Sequence, residues 1–132
     1  MILIDTHIFI WWIQGDSRLS ESYKDLLREN EKTGIAVSII SFWEISKLIE
    51  KNRLFLPLPL DDWCRTSLEY PGIKLINLDL DIIFTSHRLQ NFHKDPADQL
   101  IAATSICKNL PLLTFDRKLI EYKGLNTLII KE

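Results

Sequence analysis

Cysteine is scarce in this chain, with two residues among 132, and their placement excludes two common uses of cysteine. Cys64 and Cys107 lie far apart, form no CxxC pair and have no histidine at zinc-finger spacing. The sequence therefore indicates neither a disulfide-stapled domain nor a zinc finger. Both side chains are expected to be small buried groups in a reduced, cytoplasmic protein.

Long apolar segments are also missing. The longest uncharged run is about 33–43, well short of the ~18–20 apolar residues that cross a bilayer. Residues 1–5 contain no basic side chain and reach an acid at Asp5, which is unlike a secretory leader. We therefore expect no membrane association.

Glycine and proline are few, with four and five residues, and no repeat or low-complexity stretch interrupts the chain. With 46% hydrophobic residues, the composition is typical of a single domain over 1–132. The net charge of −2 excludes a strongly basic, non-specific nucleic-acid binder. RNA is not excluded: if five of the negative charges belong to one metal-binding pocket, the rest of the chain carries a net charge of +3. The five acids in question are Asp5, Glu44, Asp95, Asp98 and Asp116.

Short apolar runs alternate with amphipathic segments along the chain. The apolar runs predict strands at 1–4, 35–38, 73–76, 111–114 and 125–130. The amphipathic segments predict helices at 5–15, 20–32, 41–52, 61–71, 79–91, from 95 onward and at 117–122. This alternation is typical of parallel strands joined by right-handed crossovers. We expect a three-layer α/β fold in which a short parallel five-stranded sheet carries helices on both faces.

Four acids fall at informative places on that layout. Asp5 ends the first strand, and Asp116 lies two residues past the fourth. Glu44 and Asp98 each stand in the first turn of a predicted helix. Ligands of open parallel sheets bind in the crevice outside the carboxyl ends of the strands, where helices also begin. The four carboxylates are therefore predicted to converge there.

Each acid also has a purely structural interpretation. Asp5, Asp95 and Asp116 are good helix N-caps, and Pro96 suits a first helical position. The segment from Ser41 to Glu44 matches the S-x-x-E capping box. Taken singly, each acid fits capping better than catalysis. Capping alone, however, does not require four acids to gather at the same sheet edge.

Converging carboxylates need a cation, because like charges in a half-buried pocket do not all stay ionised without one. A ligand set of hard oxygens favours Mg²⁺, or Mn²⁺ as the alternative, over zinc. Such a site polarises a phosphate oxygen and activates water for attack on a phosphodiester.

Four segments carry a family resemblance: 3–7 (LIDTH), 38–45 (SIISFWEI), 95–104 (DPADQLIAAT) and 113–117 (LTFDR). In this order and spacing, the chain resembles the PIN-domain ribonucleases, specifically the VapC-type toxins of type II toxin–antitoxin systems. The resemblance implies a PIN-like fold and a Mg²⁺-dependent endoribonuclease that hydrolyses RNA with a metal-activated water. It also implies inhibition by a cognate VapB-like antitoxin, and it makes tRNA a plausible substrate class.

The resemblance assigns roles to individual residues. It gives Asp5, Glu44, Asp98 and Asp116 as catalytic acids, with Asp5, Asp98 and Asp116 as metal ligands. Thr6 and Thr114 look like the hydroxyl neighbours that orient a carboxylate, and Asp95 either makes an outer contact or only caps its helix. Where relatives commonly carry arginine, this chain has Gln99, which puts an RNA contact at that position in doubt.

Other residues leave alternatives open. Of the three histidines, His7 is the strongest general-base candidate, although a metal site does not need one; His87 and His93 rank lower. Seven cations are candidates for an RNA path: Lys47, Lys51, Arg53, Arg88, Lys94, Arg117 and Lys118. Among the apolar side chains of the helix at 41–52, Trp43, Ile45, Leu48 and Ile49 are expected to point inward. One of Trp11 and Trp12 is expected at a homodimer interface.

Two other functions compete with the ribonuclease. A receiver-type phosphoacceptor domain is also a small α/β fold with acids at strand ends, but Thr6 and His7 occupy the place of its second acid. A catalytically silent PIN-like module that only binds RNA or protein is disfavoured by the presence of all four acids.

Overall fold

The computed structural model describes residues 1–131 and contains four strands and seven helices among them. The strands are β1 (Ile2–Ile4), β2 (Ile35–Ser38), β3 (Ile73–Ile76) and β4 (Leu112–Leu113). The helices are α1 (Thr6–Gln14), α2 (Glu21–Glu29), α3 (Ile39–Glu50), α4 (Leu60–Leu68), α5 (Leu80–His87), α6 (Pro96–Lys108) and α7 (Arg117–Ile120).

All strand pairs are parallel, and their order across the sheet is β3-β2-β1-β4. The two central strands are buried at every residue, as their uninterrupted apolar runs predict. Two apolar clusters line the sheet. One is built around Phe9, Ile45 and Trp63, and the other around Ile101 and Leu119. The predicted α/β fold with helices around a parallel sheet is confirmed.

The predicted fifth strand is the main difference. Within the described residues, the segment 125–130 makes only an isolated parallel bridge between Leu112 and Thr127. Its neighbour β4 is two residues long, because Pro111 has no N–H to donate and the chain turns toward α7 after Thr114. Because β4 is so short, the segment 125–130 pairs with it at one bridge only.

Helix α3 begins earlier than predicted and faces differently. Ser38 is its N-cap and accepts a hydrogen bond from the backbone N–H of Ile40 at 3.2 Å. Ile45 is fully buried and Leu48 and Ile49 are partly buried, whereas Trp43 is 49% exposed. The inward orientation predicted for Trp43 is therefore wrong.

Helix α5 ends at His87, short of the predicted residue 91. The chain then runs irregularly to Asp95 and passes through Asn91, whose φ of +58° lies in the left-handed region. This 88–95 loop is therefore free to approach the carboxyl edge of the sheet.

Gly72 fixes the turn that leads into β3. It has a φ of +81°, and an added Cβ would lie 2.6 Å from the Cα of Glu31. Its carbonyl accepts from the N–H of Ile35 at 2.7 Å. Only glycine fits here without displacing the loop before β2.

None of the helices in residues 1–131 has the length and apolarity needed to cross a membrane.

Candidate active site

A cavity of about 250 Å³ opens at the carboxyl edge of the sheet. It lies beside the ends of β1 and β4, the first turns of α1 and α6, and α3. The lining residues are Asp5, Thr6, His7, Ile10, Glu44, Leu48, Asp95, Asp98 and Asp116. All four acids that the sequence singled out therefore line one pocket, which we call the acid pocket.

Asp5 is held most rigidly. It is 3% exposed, and it caps α1 by accepting from the N–H of Thr6 at 2.8 Å. Its second oxygen accepts from the hydroxyl of Thr114 at 2.7 Å. The same Thr114 oxygen accepts from the backbone N–H of Asp116 at 3.0 Å. One threonine thus joins the acid that follows β1 to the acid that follows β4.

Glu44 does not cap its helix. Because Ser38 is the N-cap of α3, Ser41 stands at the third helical position and Glu44 at the sixth, so the predicted capping box is wrong. The Thr6 hydroxyl donates to Oε1 of Glu44 and lies 2.8 Å from the hydroxyl of Ser41. Because Glu44 does not cap α3, capping does not explain why its side chain faces the pocket.

Asp95 and Asp116 are both helix caps, as predicted. Asp95 caps α6 by accepting from the N–H of Asp98 at 3.0 Å, and Asp116 caps α7 by accepting from the N–H of Lys118 at 2.9 Å. Capping uses one oxygen of each carboxylate. The other oxygen remains available to the pocket.

Asp98 occupies the centre of the cluster. Ligand atoms of Glu44, Asp95 and Asp98 lie within 4.8 Å of one another, and so do those of His93, Asp98 and Asp116. Asp98 is common to both groups. Asp5 lines the same pocket without belonging to either.

Burial, together with the crowding of the carboxylates in the pocket, raises the pKa values of Glu44 and Asp98. Burial raises the pKa of Glu44 to about 7, against the hydrogen bond from Thr6, and the charges of Asp5 and Asp98 raise it further. Burial also raises the pKa of Asp98 to about 6, against the contact with His93, and the charge of Asp5 adds to the rise. Neighbouring carboxylates that resist ionisation indicate a place for a cation.

His93 contacts an acid of the pocket, Asp98, and is the residue that the sequence ranked too low. Its Nε2 lies 2.7 Å from Oδ2 of Asp98. Gln99 donates from Nε2 to the backbone carbonyl of His93 at 3.1 Å and so holds the 88–95 loop against α6. The position of His93 two residues before Asp95 could have indicated its role. The helix predicted over 79–91 left too short a loop to suggest that the chain turns His93 toward Asp98.

His7 is less available than the sequence suggested. Its Nε2 accepts from the backbone N–H of Phe115 at 3.0 Å, which leaves the proton of the neutral ring on Nδ1. That nitrogen lies 3.6 Å from Oδ2 of Asp5. Burial lowers the pKa of His7, against the raising effect of Asp5 and Asp116. The ring therefore packs beside Asp5, and its acceptor nitrogen is already hydrogen-bonded and not available to act as a general base.

The donor set fits a hard divalent cation. Carboxylate oxygens from α3, α6 and the end of β4 face one space, and such oxygens suit Mg²⁺ and Mn²⁺. His93 adds a single nitrogen, which Mn²⁺ accepts more readily than Mg²⁺.

Comparisons with known proteins bear on the family and the fold. The sequence matches the PIN domain family over residues 2–125. It is similar to the ribonuclease VapC22 of Mycobacterium tuberculosis, with 31% identity over 119 residues that cover 89% of this chain and 88% of that protein.

Solved structures with the same fold include chains from toxin–antitoxin complexes. The chain aligns with VapBC2 from Rickettsia felis, bound to a DNA fragment from their promoter, at a TM-score of 0.69 and 21% identity, covering 97% and 98% of the two chains. It aligns with a toxin–antitoxin complex from Klebsiella pneumoniae at a TM-score of 0.65 and 23% identity, covering 96% and 97%.

Proposed function

The chain belongs to the PIN-domain family, and from that premise we propose that it is a VapC-type toxin, a divalent-metal-dependent endoribonuclease acting at the acid pocket. The observation that carries the proposal is the meeting of four carboxylates from separate segments around Asp98, two of them with raised pKa values. Mg²⁺ is the proposed cofactor, with Mn²⁺ as a substitute.

Asp5, Asp98 and Asp116 would hold the cation. When bound, it would polarise the phosphate of the cleaved bond and lower the pKa of the attacking water. Asp5 is suited to this because Thr6 and Thr114 fix its orientation before any ligand arrives. Such fixed geometry reduces the reorganisation needed during reaction.

Glu44 is proposed to move the proton. It faces the pocket from α3, and a carboxylate that a nearby cation keeps ionised can accept a proton. The Thr6 hydroxyl orients one of its oxygens. The other oxygen is then available to accept a proton from water in the pocket.

The proposed partners are an RNA substrate, with tRNA as one class, and a cognate VapB-like antitoxin. The antitoxin follows from the similarity to chains of toxin–antitoxin complexes. We further propose a homodimer. Trp11 and Trp12 are both partly buried, whereas α5 exposes Leu80, Ile83 and Phe84, an apolar face suited to a second copy. If light scattering at micromolar concentration gave the mass of a monomer, the proposed homodimer would be contradicted.

The function is tested by cleavage of total RNA and of purified tRNA with Mg²⁺, with Mn²⁺ and with EDTA. Asp5→Asn and Asp98→Asn should each lower the rate at least about 100-fold, because the cation stabilises the transition state by several kcal/mol. Asp81→Asn is the matched control, since Asp81 is an exposed acid on α5 outside the pocket. Cleavage that survives both substitutions or persists in EDTA contradicts the mechanism.

A further inference from the structure

A second cavity, of about 370 Å³, adjoins the acid pocket. Glu44, Leu48 and Asp95 line both, so a ligand can pass from one to the other. The remaining lining residues are Trp43, Lys47, Lys51, Arg53, Pro96 and Ala97. We call this cavity the side groove. Its volume lies within the range of about 300–1,000 Å³ that is usual for small-ligand sites.

One face of α3 and the residues that follow it build the basic wall of the side groove. Trp43, Lys47 and Lys51 are spaced four residues apart, so they lie in a row along the helix. At 1.5 Å per residue the row is about 12 Å long. Glu44 stands at the end of the row that meets the acid pocket, and Arg53 follows at the other end.

The cations of the side groove are poorly neutralised by the protein. Lys51 and Arg53 are exposed and form no ion pair within residues 1–131. Lys47 pairs with Glu50 at 3.2 Å, but this contact lies at the surface, where ion pairs contribute little. The far end of the groove is therefore electropositive, next to a pocket that is strongly acidic.

Trp43 gives the groove a flat apolar surface. The side chain is 49% exposed although it stands on a helix that buries Ile45 completely. The Nζ of Lys47 lies 5.7 Å from the centre of its ring. A half-exposed indole on the same wall as unpaired cations is a combination that binds single-stranded nucleic acid, because the ring stacks on a base while the cations bind the backbone.

We propose that the side groove is a nucleotide subsite for single-stranded RNA, in which Trp43 stacks on a base and Lys51 and Arg53 bind phosphates further along the strand from the cleaved bond. The inference rests on the proposed ribonuclease function and deepens it. It selects single-stranded RNA because a base inside a duplex has no free face to stack on an indole. It also gives direction to the strand, which leaves the acid pocket along α3.

RNA is favoured over a protein segment as the occupant because the side groove is continuous with the acid pocket. A phosphodiester held at the acid pocket by the proposed cation would continue into further phosphates on both sides, and the side groove supplies cations beyond Glu44 and Asp95. An antitoxin segment with acidic residues is the competing occupant, and the test separates the two.

The test measures equilibrium binding of a 5′-fluorescein-labelled 12-nucleotide oligoribonucleotide in EDTA, where it is not cut, at several salt concentrations. The combined variant Lys51→Ala, Arg53→Ala should flatten the plot of log affinity against log salt by about 1.4, since each phosphate contact contributes about 0.7 for single strands. Lys32→Ala is the matched control, because Lys32 is exposed at the opposite edge of the sheet, before β2.

Trp43 is tested by two substitutions. Trp43→Ala should weaken binding about 5- to 100-fold with an unchanged salt slope, because stacking is not ionic. Trp43→Phe should restore most of the affinity, since phenylalanine still offers a ring. Thermal melting of each variant checks that the fold is intact, which the exposure of these side chains favours.

The outcomes are distinguishable. If the wild type cuts RNA but the three groove variants bind it with unchanged affinity and salt slope, the subsite is wrong and the proposed function stands. If those variants lose only the binding of a co-expressed antitoxin, the groove belongs to the protein partner and the inference is overturned. If neither the wild type nor Asp81→Asn cuts RNA under any metal condition, the proposed function fails first.

Discussion

Replacing Glu44 with glutamine should stabilise the metal-free protein at alkaline pH. Burial is the main cause that raises the pKa of Glu44 from 4.5 to about 7, so the folded state holds a proton that the unfolded state releases. A group of this kind favours folding at low pH, and its contribution is lost as the pH rises from about 4.5 to about 7. Above pH 7 the folded protein carries an ionised Glu44 at a cost that glutamine removes.

The size of the effect follows from the shift. Moving the pKa from 4.5 to about 7 corresponds to about 3 kcal/mol as an upper bound. Glu44 is only half-buried, and solvent screening reduces this to about 1–2 kcal/mol. For a chain of this length we expect a rise in Tm of roughly 3–8 °C at pH 8 in EDTA.

The assay is thermal melting followed by circular dichroism at pH 5 and pH 8, in EDTA and in Mg²⁺. Glu44→Gln should melt close to the wild type at pH 5 and above it at pH 8. Glu29→Gln, which changes an exposed acid at the end of α2, should melt with the wild type at both pH values. Mg²⁺ should stabilise the wild type more than Glu44→Gln. A variant that is less stable than the wild type at pH 8 in EDTA refutes the electrostatic reasoning.

Three further outcomes are expected. Thr114→Val should cost about 1–3 kcal/mol in urea unfolding, because Asp5 keeps a buried oxygen without its donor; equal stability would show that this hydrogen bond is dispensable. Gly72→Ala should cost more than Gly15→Ala in the same measurement, because the added Cβ meets Glu31 at 2.6 Å only in the first case, although both sites have positive φ. His93→Ala should weaken Mg²⁺ binding by calorimetry more at pH 6 than at pH 8, since it removes the contact that lowers the pKa of Asp98; an equal loss at both pH values would contradict this.

The sequence predicted the sheet and the acid positions because both follow from local patterns. The buried strands are uninterrupted apolar runs; Asp5 follows β1 directly, and Asp116 lies three residues past the end of β4. The parallel topology then brings the acids to one edge without any knowledge of side-chain contacts.

Other features depended on tertiary contacts that no local pattern contains. The capping box predicts Ser41 as the N-cap of α3, whereas the helix begins directly after β2 with Ser38 as its cap. The turn at Asn91 that brings His93 to Asp98 is a backbone conformation rather than a composition signal. The apolar pattern of α3 predicts Trp43 in the core, whereas the structure leaves it half-exposed and buries Ile45 instead.

The Thr114 contact with Asp5 also sets when the site forms during synthesis. The two residues are 109 positions apart, so the β1 acid gains its second hydrogen bond only after nearly the whole domain has left the ribosome. A nascent chain that ends before Asp116 lacks one wall of the pocket. The proposed cleavage activity would therefore be absent until synthesis of the domain is nearly complete.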